Sequence, residues 1–347
     1  VLQKRTEDFF SEELPKMQEL VGMSLDNKME GATTVISPTT GELLAVYGGT
    51  QLQSTDFSRA TQARRQAGSS LKPLVYALGF EQKNEKGEYI WKSFSTVTNA
   101  RRTFKNTSGW RPRNNGEKYS PISTLTAGLV WSQNIATASL LESIGGPEFL
   151  IDFAKRFRFD TKKWPNELGL ALGQAEVTPF EMTRFVATIA NGGRFTNGQP
   201  VLAAIDLQQR NHVKTLAMDE RVVDENAIFL TRELMRLVVL AGTGGGSRKR
   251  LDRLGYKGES IGKTGTTDQS KDLWFVGSTP TYAGALWIGF DTPATMPVSS
   301  SDVAAPLWGW WMRELHQDIP YEKFDVVFGD IPVKRKWLCI ETGRVPN

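Results

Sequence analysis

Apolar runs that read as strands lie near both ends of this 347-residue chain, and apolar residues at helical spacing fill the stretch between them. That order constrains the fold more than any other feature. Early strands, a central helical block and late strands suggest one sheet shared by both ends. The expectation is a single α/β sandwich whose sheet joins the two ends of the chain.

The early strands are predicted at residues 33–36 and 43–47, separated by Ser37-Pro38-Thr39-Thr40-Gly41, which is a hairpin signal. After Gly68 the period changes. Leu71, Leu74, Val75 and Leu78 follow i, i+3, i+4, i+7 spacing, so a helix starts close to Ser69 with Pro73 in its first turn. Residues 84–119 lack periodicity and read as a long loop region. Two short helices are predicted at 124–131 and 135–144, joined by Ser132-Gln133-Asn134. Thr178-Pro179-Phe180-Glu181 carries a capping box with Pro at the first helical position. Met182, Phe185, Val186 and Ile189 form the apolar face of that helix, and Gly192 is a suitable stop. A further helix is expected over 225–240. The late strands are placed at 260–265, 273–277 and 282–290, followed by a tryptophan-rich helix at 304–316 and one or two short strands in the tail, 324–345.

Composition excludes several classes. With 39% hydrophobic and 23% charged residues the chain is an ordinary globular one. A net charge of +4 suits an anionic partner without requiring one. The basic groups Arg64-Arg65, Arg101-Arg102 and Arg248-Lys249-Arg250 are short and scattered, so no nucleic-acid partner is expected. The single cysteine, Cys339, rules out an internal disulfide and any metal site built on several cysteines. No signal peptide is visible after Val1. The longest uncharged stretches, 119–141 and 273–290, are respectively too polar and too interrupted by Gly277, Pro280 and Gly284 to span a membrane as a helix. The chain is expected to be a fragment or processed form, with residues 1–30 a polar, partly helical lead-in from an upstream region.

The chemistry narrows by elimination. There are two histidines, His212 in a polar turn and His316 at a helix end, so a Ser-His-Asp triad and a His-based zinc site are poorly supported. Gly258-Glu259-Ser260-Ile261-Gly262-Lys263-Thr264 imitates a phosphate loop but is one residue short between its glycines. Gly242-Thr243-Gly244-Gly245-Gly246 reads as a flexible turn. No cofactor and no metal are expected.

A serine nucleophile without histidine needs another base, and lysine can serve. Ser69-Ser70-Leu71-Lys72 puts a serine and a lysine three residues apart on one helical face, with the helix N-terminus adding positive potential. Ser260-Ile261-Gly262-Lys263 has the same spacing but lies in an apparent strand, where residues three apart face opposite ways. As a base, Lys72 must be neutral. An unperturbed lysine, with a pKa of about 10.4, is neutral about once in two thousand at pH 7. Burial and a second cation, Lys263, would lower that pKa.

Ser69-x-x-Lys72, Ser132-Gln133-Asn134 and Lys263-Thr264-Gly265 occur in that order, the last two once each. The set resembles the three motifs of penicillin-binding proteins and serine β-lactamases. Residues 59–69, Leu170-Ala171-Leu172-Gly173 with Val177-Thr178-Pro179, and Lys263-Thr264-Gly265-Thr266-Thr267 narrow the resemblance to the transpeptidase domain of class A, bifunctional penicillin-binding proteins. Trp274-Phe275-Val276-Gly277, Ala304-Ala305-Pro306-Leu307-Trp308 and Glu341-Thr342-Gly343 fit as well, so the likeness runs from about residue 33 to the end. The sequence departs in containing no glycosyltransferase region, in having Cys339 where an acidic residue is common, and in a loose match over 110–119.

The resemblance implies a penicillin-binding protein/serine β-lactamase-like α/β (α+β) fold, a mainly antiparallel central sheet flanked by helices with an all-helical lobe. It implies a transpeptidase domain over 31–318 and a C-terminal strand extension over 319–347. Ser69 would attack the D-Ala-D-Ala bond of a peptidoglycan stem peptide, and an amine from a neighbouring stem would resolve the acyl-enzyme. Lys72 would accept the Ser69 proton, Ser132 would relay a proton to the leaving amine, and Asn134 would hold Lys72 and the acyl-side amide. Lys263, Thr264, Gly265 and Thr266 would form the carboxylate-binding strand, and the backbone N–H groups of Ser69 and Thr266 the oxyanion hole. β-Lactams would be covalent inhibitors. The implied location is the periplasm or outer face of the bacterial cytoplasmic membrane, with a tether outside this sequence. A D,D-carboxypeptidase, a β-lactamase or a non-enzymatic β-lactam sensor shares the motifs. Glu167 lies in the region where class A β-lactamases place a water-activating glutamate, but it belongs to the transpeptidase-like stretch and is read as non-catalytic.

Overall fold

A computed structural model describes residues 1–24, 27–49, 57–105, 107–200, 203–205, 211–214, 220–243, 258–324, 339–340 and 343. Phe10, Leu14 and Met17 share one face of helix α1 (Leu2–Leu20), which leads into the antiparallel strands β1 (Met29–Ile36) and β2 (Leu43–Tyr47). The short strand β3 (Arg65–Gln66) and a 3-10 turn (Gly68–Leu71) precede helix α2 (Lys72–Glu81). Within the region read as loop, β4 (Thr96–Asn99) pairs with β5 (Ser120–Thr124).

Three helices follow: α3 (Leu125–Val130), α4 (Asn134–Ser143) and α5 (Pro147–Arg156). A second 3-10 turn (Leu168–Leu172) and β6 (Glu176–Val177) connect to α6 (Pro179–Ala190). Its capping box is formed: Thr178 Oγ1 accepts from Glu181 N at 3.1 Å, and Glu181 Oε2 accepts from Thr178 N at 2.8 Å. The ribbon of β7 (Ala203–Ile205) and β8 (Asn211–Lys214) precedes α7 (Glu225–Ala241). Strands β9 (Ile261–Thr266), β10 (Asp272–Ser278) and β11 (Ala283–Phe290) and helix α8 (Ala304–Leu315) complete the described elements.

The main sheet has five antiparallel strands in the order β2-β1-β11-β10-β9. The two ends of the chain therefore meet where β1 pairs with β11, as the order of strands in the sequence suggests. Both faces of the sheet are covered, and the period of two sorts the side chains between them. Trp274, Val276, Ala285 and Trp287 face the helical block with α2, α6 and α7. Leu273, Phe275, Leu286 and Ile288 face α1 and α8. Three indoles buried in or against the sheet find acceptors: Trp274 Nε1 donates to Gln66 O, Trp287 Nε1 to Asp272 Oδ1 and Trp308 Nε1 to Gly284 O, all at 2.9 Å.

The antiparallel sheet, the flanking helices and the helical block match the expected α/β fold. The segment read as a polar lead-in differs. Residues 2–20 form one helix whose apolar stripe closes the outer face of the sheet. Phe10 is fully buried, stacked on Tyr47 at 5.0 Å and against Trp311 at 5.3 Å. Helix α5 and strand β4 were not read from periodicity. The strands expected in the tail lie almost wholly outside the described residues. Phe10→Ala removes a buried ring from a site walled by two other aromatics. It is expected to cost about 3–5 kcal/mol, read as a shift in the denaturant midpoint at unchanged m-value.

Candidate active site

The turn that carries Ser69 is clamped by backbone. Ala67 N–H donates to Ala175 O and Gly68 N–H to Gly173 O, each at 3.0 Å. β3 and β6 pair just before it, Gln66 opposite Glu176. Two glycines make the fit possible. A Cβ on Gly173, at φ +84°, would sit 1.8 Å from Gly68 O. A Cβ on Gly265 of β9 would sit 2.6 Å from Ala67 O and 2.7 Å from Ser70 Cβ. Strand β9 thus packs its backbone directly on the turn that carries Ser69.

Strand β9 is an edge of the sheet. Thr267 N–H donates to Asp272 O in the neighbouring chain segment. Alternation then turns the N–H and C=O of Thr266 away from β10 and toward the free edge. A methyl group at Gly68 would lie 2.8 Å from Thr266 O, so this edge faces the Ser69 turn.

Ser69 is partly exposed, and its hydroxyl makes no hydrogen bond to any described residue. Lys72, three residues on, is wholly buried. Its Nζ donates to Ser132 O at 2.8 Å and to Asn134 Oδ1 at 2.7 Å, and lies 3.3 Å from Ser132 Oγ. Ser132 adopts φ +54°, an uncommon conformation for a residue with a Cβ. It links α3 to α4 and presents both its carbonyl and its hydroxyl to Lys72. Asn134 opens α4, and its Nδ2 donates to Arg113 O at 2.7 Å, which orients the amide.

Lys263 comes from β9 and is also wholly buried. Its Nζ donates to Ser132 Oγ at 3.0 Å and to Thr264 O at 2.9 Å. The two lysines therefore share one hydroxyl, and neither is paired with a carboxylate among the described residues. Burial without a counter-ion disfavours the ammonium form. It holds Lys72 well below the usual lysine range, and the charge of Lys263 pushes it further. Burial alone pushes Lys263 down to about 7.

A neutral Lys72 has two N–H groups and one lone pair. With the N–H groups on Ser132 O and Asn134 Oδ1, the lone pair remains for a hydroxyl proton. Ser132 Oγ, between the two nitrogens, can pass a proton either way. The arrangement is a serine near a buried, desolvated amine.

The structure brings Lys72, Ser132, Asn134 and Lys263 into one hydrogen-bonded group, with Ser69 one turn away and Gly265 and Thr266 against its turn. Thr264 lies at the same place: its hydroxyl meets Thr243 Oγ1 at 3.0 Å. Thr266 Oγ1 donates to Ser300 Oγ at 2.8 Å, and Ser300 also bonds Gly265 O and Trp274 N. Sequence reasoning missed Thr243 and Ser300. Thr243 stands in a glycine-rich stretch read as a turn, and Ser300 in a serine run that carries no periodic signal. Glu167 is exposed and makes no hydrogen bond to either lysine. His316 is buried, with Nδ1 2.7 Å from Met312 O, far in the fold from these residues. His212 has no described side chain.

Fold and site together define a serine acyltransferase class built on lysine rather than histidine. Comparison with known proteins agrees: the family described as penicillin binding protein transpeptidase domain matches residues 31–305. The chain belongs to that family. Among curated proteins it is 31% identical over 292 residues to penicillin-binding protein 1A of Neisseria lactamica, covering 82% of this chain and 36% of that protein. It is 31% identical over 307 residues to penicillin-binding protein 1A of Aquifex aeolicus, covering 86% and 40%. The chain thus spans little more than a third of the length of such relatives.

Solved structures of similar fold include penicillin-binding protein 1A from Haemophilus influenzae, with a TM-score of 0.79 at 23% identity, covering 92% of this chain and 52% of that one. PonA1 from Mycobacterium tuberculosis in complex with penicillin V has a TM-score of 0.78 at 22% identity, covering 93% and 85%.

The buried lysines set a pH dependence. Between about pH 7 and the unfolded lysine value of 10.5, the unfolded chain binds more protons at these positions than the folded chain. Their contribution to stability therefore rises with pH across that window and is lost as pH falls toward 7. Lys263→Met should flatten the rise relative to the parent chain in denaturant unfolding at pH 7, 8 and 9.

Proposed function

We propose that this chain is the D,D-transpeptidase domain of a peptidoglycan-synthesising enzyme, with Ser69 as the acylated nucleophile. The observation that carries this reading is the group of Lys72, Ser132, Asn134 and Lys263, hydrogen-bonded with no carboxylate among the described residues, one turn from a partly exposed Ser69. The family match and the relatives named penicillin-binding protein 1A support it.

In the first step Ser69 Oγ attacks the carbonyl of a D-Ala-D-Ala bond while its proton passes to Lys72. The N–H groups of Ser69 and Thr266 bind the developing oxyanion. The C–N bond breaks, and the leaving D-Ala amine takes a proton through Ser132 from Lys72. Lys263 and the hydroxyls of Thr264 and Thr266 bind the terminal carboxylate, and Gly265 admits the nucleophile turn. Asn134 holds Lys72 and the acyl-side amide. In the second step an amine of another stem peptide attacks the ester, forms the cross-linking amide and returns the proton to Ser69. A β-lactam enters the first step and stays attached, because ring opening leaves the departing nitrogen tethered. Such substrates place the domain outside the cytoplasmic membrane, in the periplasm or on its outer face, with anchoring by a part of the protein beyond this sequence. Among the described residues, no helix is long and apolar enough to cross a membrane.

Incubation with a labelled penicillin, followed by intact mass, should give a long-lived adduct on Ser69. Ser69→Ala should give none. Lys72→Ala should slow adduct formation by about 10²–10⁴-fold, the usual worth of a positioned general base; an unchanged rate would remove Lys72 from that role. The acylation rate should rise with pH as Lys72 loses its proton and fall again as Lys263 loses its charge, through about 7. A stem-peptide donor offered with and without an amine separates cross-linking from hydrolysis.

A further inference from the structure

Ser300 stands behind the edge strand that carries Thr266, and it is wholly buried. Its hydroxyl has one hydrogen and two lone pairs. The hydrogen goes to Gly265 O, and the lone pairs accept from Thr266 Oγ1 at 2.8 Å and from Trp274 N at 3.2 Å. The N–H of Ser300 donates back to Thr266 Oγ1 at 3.1 Å. One residue thus ties together the Thr266 side chain, the carbonyl before it and strand β10.

The backbone of Ser300 is fixed independently of its hydroxyl. Ala305 N–H, at the start of α8, donates to Ser300 O at 2.9 Å. On either side, Ser299 N–H donates to Asp302 Oδ2 at 3.1 Å and Ser301 Oγ to Thr243 O at 2.9 Å. A variant without the Ser300 hydroxyl therefore keeps these anchors and the N–H bond to Thr266.

The bond to Gly265 O reaches the acyl-transfer site through the backbone. Gly265 C=O and Thr266 N–H belong to one peptide unit, which is planar and trans, so the two bonds point in opposite directions. Gly265 pairs with Trp274, and its C=O faces β10. The Thr266 N–H then faces the free edge, where a methyl group at Gly68 would lie 3.4 Å from Thr266 N. No described strand lies beyond that edge to hold the N–H. A glycine on one side of the unit gives it little steric restraint. Its tilt is set from the C=O side, by β10 and by Ser300. A hydrogen bond accepted by the C=O also polarises the unit and strengthens its N–H as a donor.

We infer that Ser300 is a positioning residue for acyl transfer: by holding Gly265 C=O it aims and polarises the Thr266 N–H at the oxyanion that forms beside Ser69. The inference rests on the acyl-transfer reading above. Burial keeps Ser300 from touching substrate, so it acts through Thr266 and the peptide unit before it. Its contribution grows as negative charge develops on the substrate carbonyl oxygen, and it adds little to binding of the uncharged ground state.

The test compares Ser300→Ala with the parent chain in two measurements. With a D-alanyl thioester donor, kcat should fall about ten- to a hundredfold, less than the 10²–10³ lost with an oxyanion donor itself. KM should stay within about twofold. In the penicillin acyl-enzyme, ¹³C-labelled at the ester carbonyl, the infrared carbonyl band should move to higher wavenumber, because a weaker hydrogen bond leaves more double-bond character. Ser300→Cys keeps the volume and a weak donor, and should fall between the two. If Ser300→Ala does not fold, the shift from the parent to Ser300→Cys is the readout. Thr266→Val cuts the side-chain tie and spares the carbonyl tie, so it should raise KM and leave the band at its parental position.

A band that stays in place in both Ser300 variants would overturn the inference, whatever happens to the rate, since a merely structural serine changes stability without altering the bond at the ester carbonyl. So would an unchanged kcat, or a loss carried wholly by KM. A shift in Thr266→Val equal to that in Ser300→Ala would move the effect to the side chain and overturn the carbonyl route. Failure of the acyl-transfer reading looks different: penicillin would then form no adduct on the parent chain.

Discussion

Two buried lysines share the hydroxyl of Ser132 with no carboxylate among the described residues to balance them, and the rest of the site is organised around that arrangement. An ammonium taken out of water without a counter-ion is costly, so the proton is the group most easily given up. The neighbours of Lys72 are a carbonyl and an amide oxygen. They satisfy its N–H groups without restoring the preference for charge that a carboxylate would bring. The result is an amine that holds its proton less tightly than an ordinary lysine. Excluding water produces that shift, and the burial of α2 on all sides from Lys72 to Phe80 provides it.

The three elements that deliver these groups have different tasks. Helix α2 carries Lys72 at the end of the turn that holds Ser69. The α3–α4 junction holds Ser132 in a left-handed conformation that aims its carbonyl and hydroxyl together. Edge strand β9 brings Lys263 and turns the backbone of Thr266 toward Ser69. The strand can approach because Gly265 has no side chain to keep Ala67 and Ser70 away, and the other side of the turn is held by Gly173 in the same manner. Ser300 and Thr243 then hold the hydroxyls of Thr266 and Thr264 from behind.

Much of this was legible in the sequence. The hairpin at 33–47, the capped helix at Thr178, the late strands and the three ordered motifs carry local signals: turn residues, capping pairs and hydrophobic period. What was missed lacked such signals or had competing ones. The stripe Phe10, Leu14, Met17 sits among eight charged residues of α1, which made the segment read as a lead-in. Thr243 and Ser300 act through single hydroxyl contacts to a strand distant in sequence, and no spacing rule marks them. Gly173 was noticed as part of a family-like stretch, but its role as the surface against which Gly68 rests depends on a contact across 105 positions.

The sequence by itself determined the kind of chemistry: almost no histidine, one cysteine, and serine, lysine and asparagine in a fixed order. It also suggested that strands from both ends share one sheet, which the pairing of β1 with β11 bears out. Tertiary structure decided which serine each lysine serves. Lys263 belongs to a Ser-x-x-Lys match with Ser260, yet its nitrogen meets Ser132, because β9 packs as a sheet edge against the helical block. Only packing could lower the pKa of both lysines, since the shift comes from excluded water and, for Lys72, also from the charge of Lys263, and neither exists until the chain has folded.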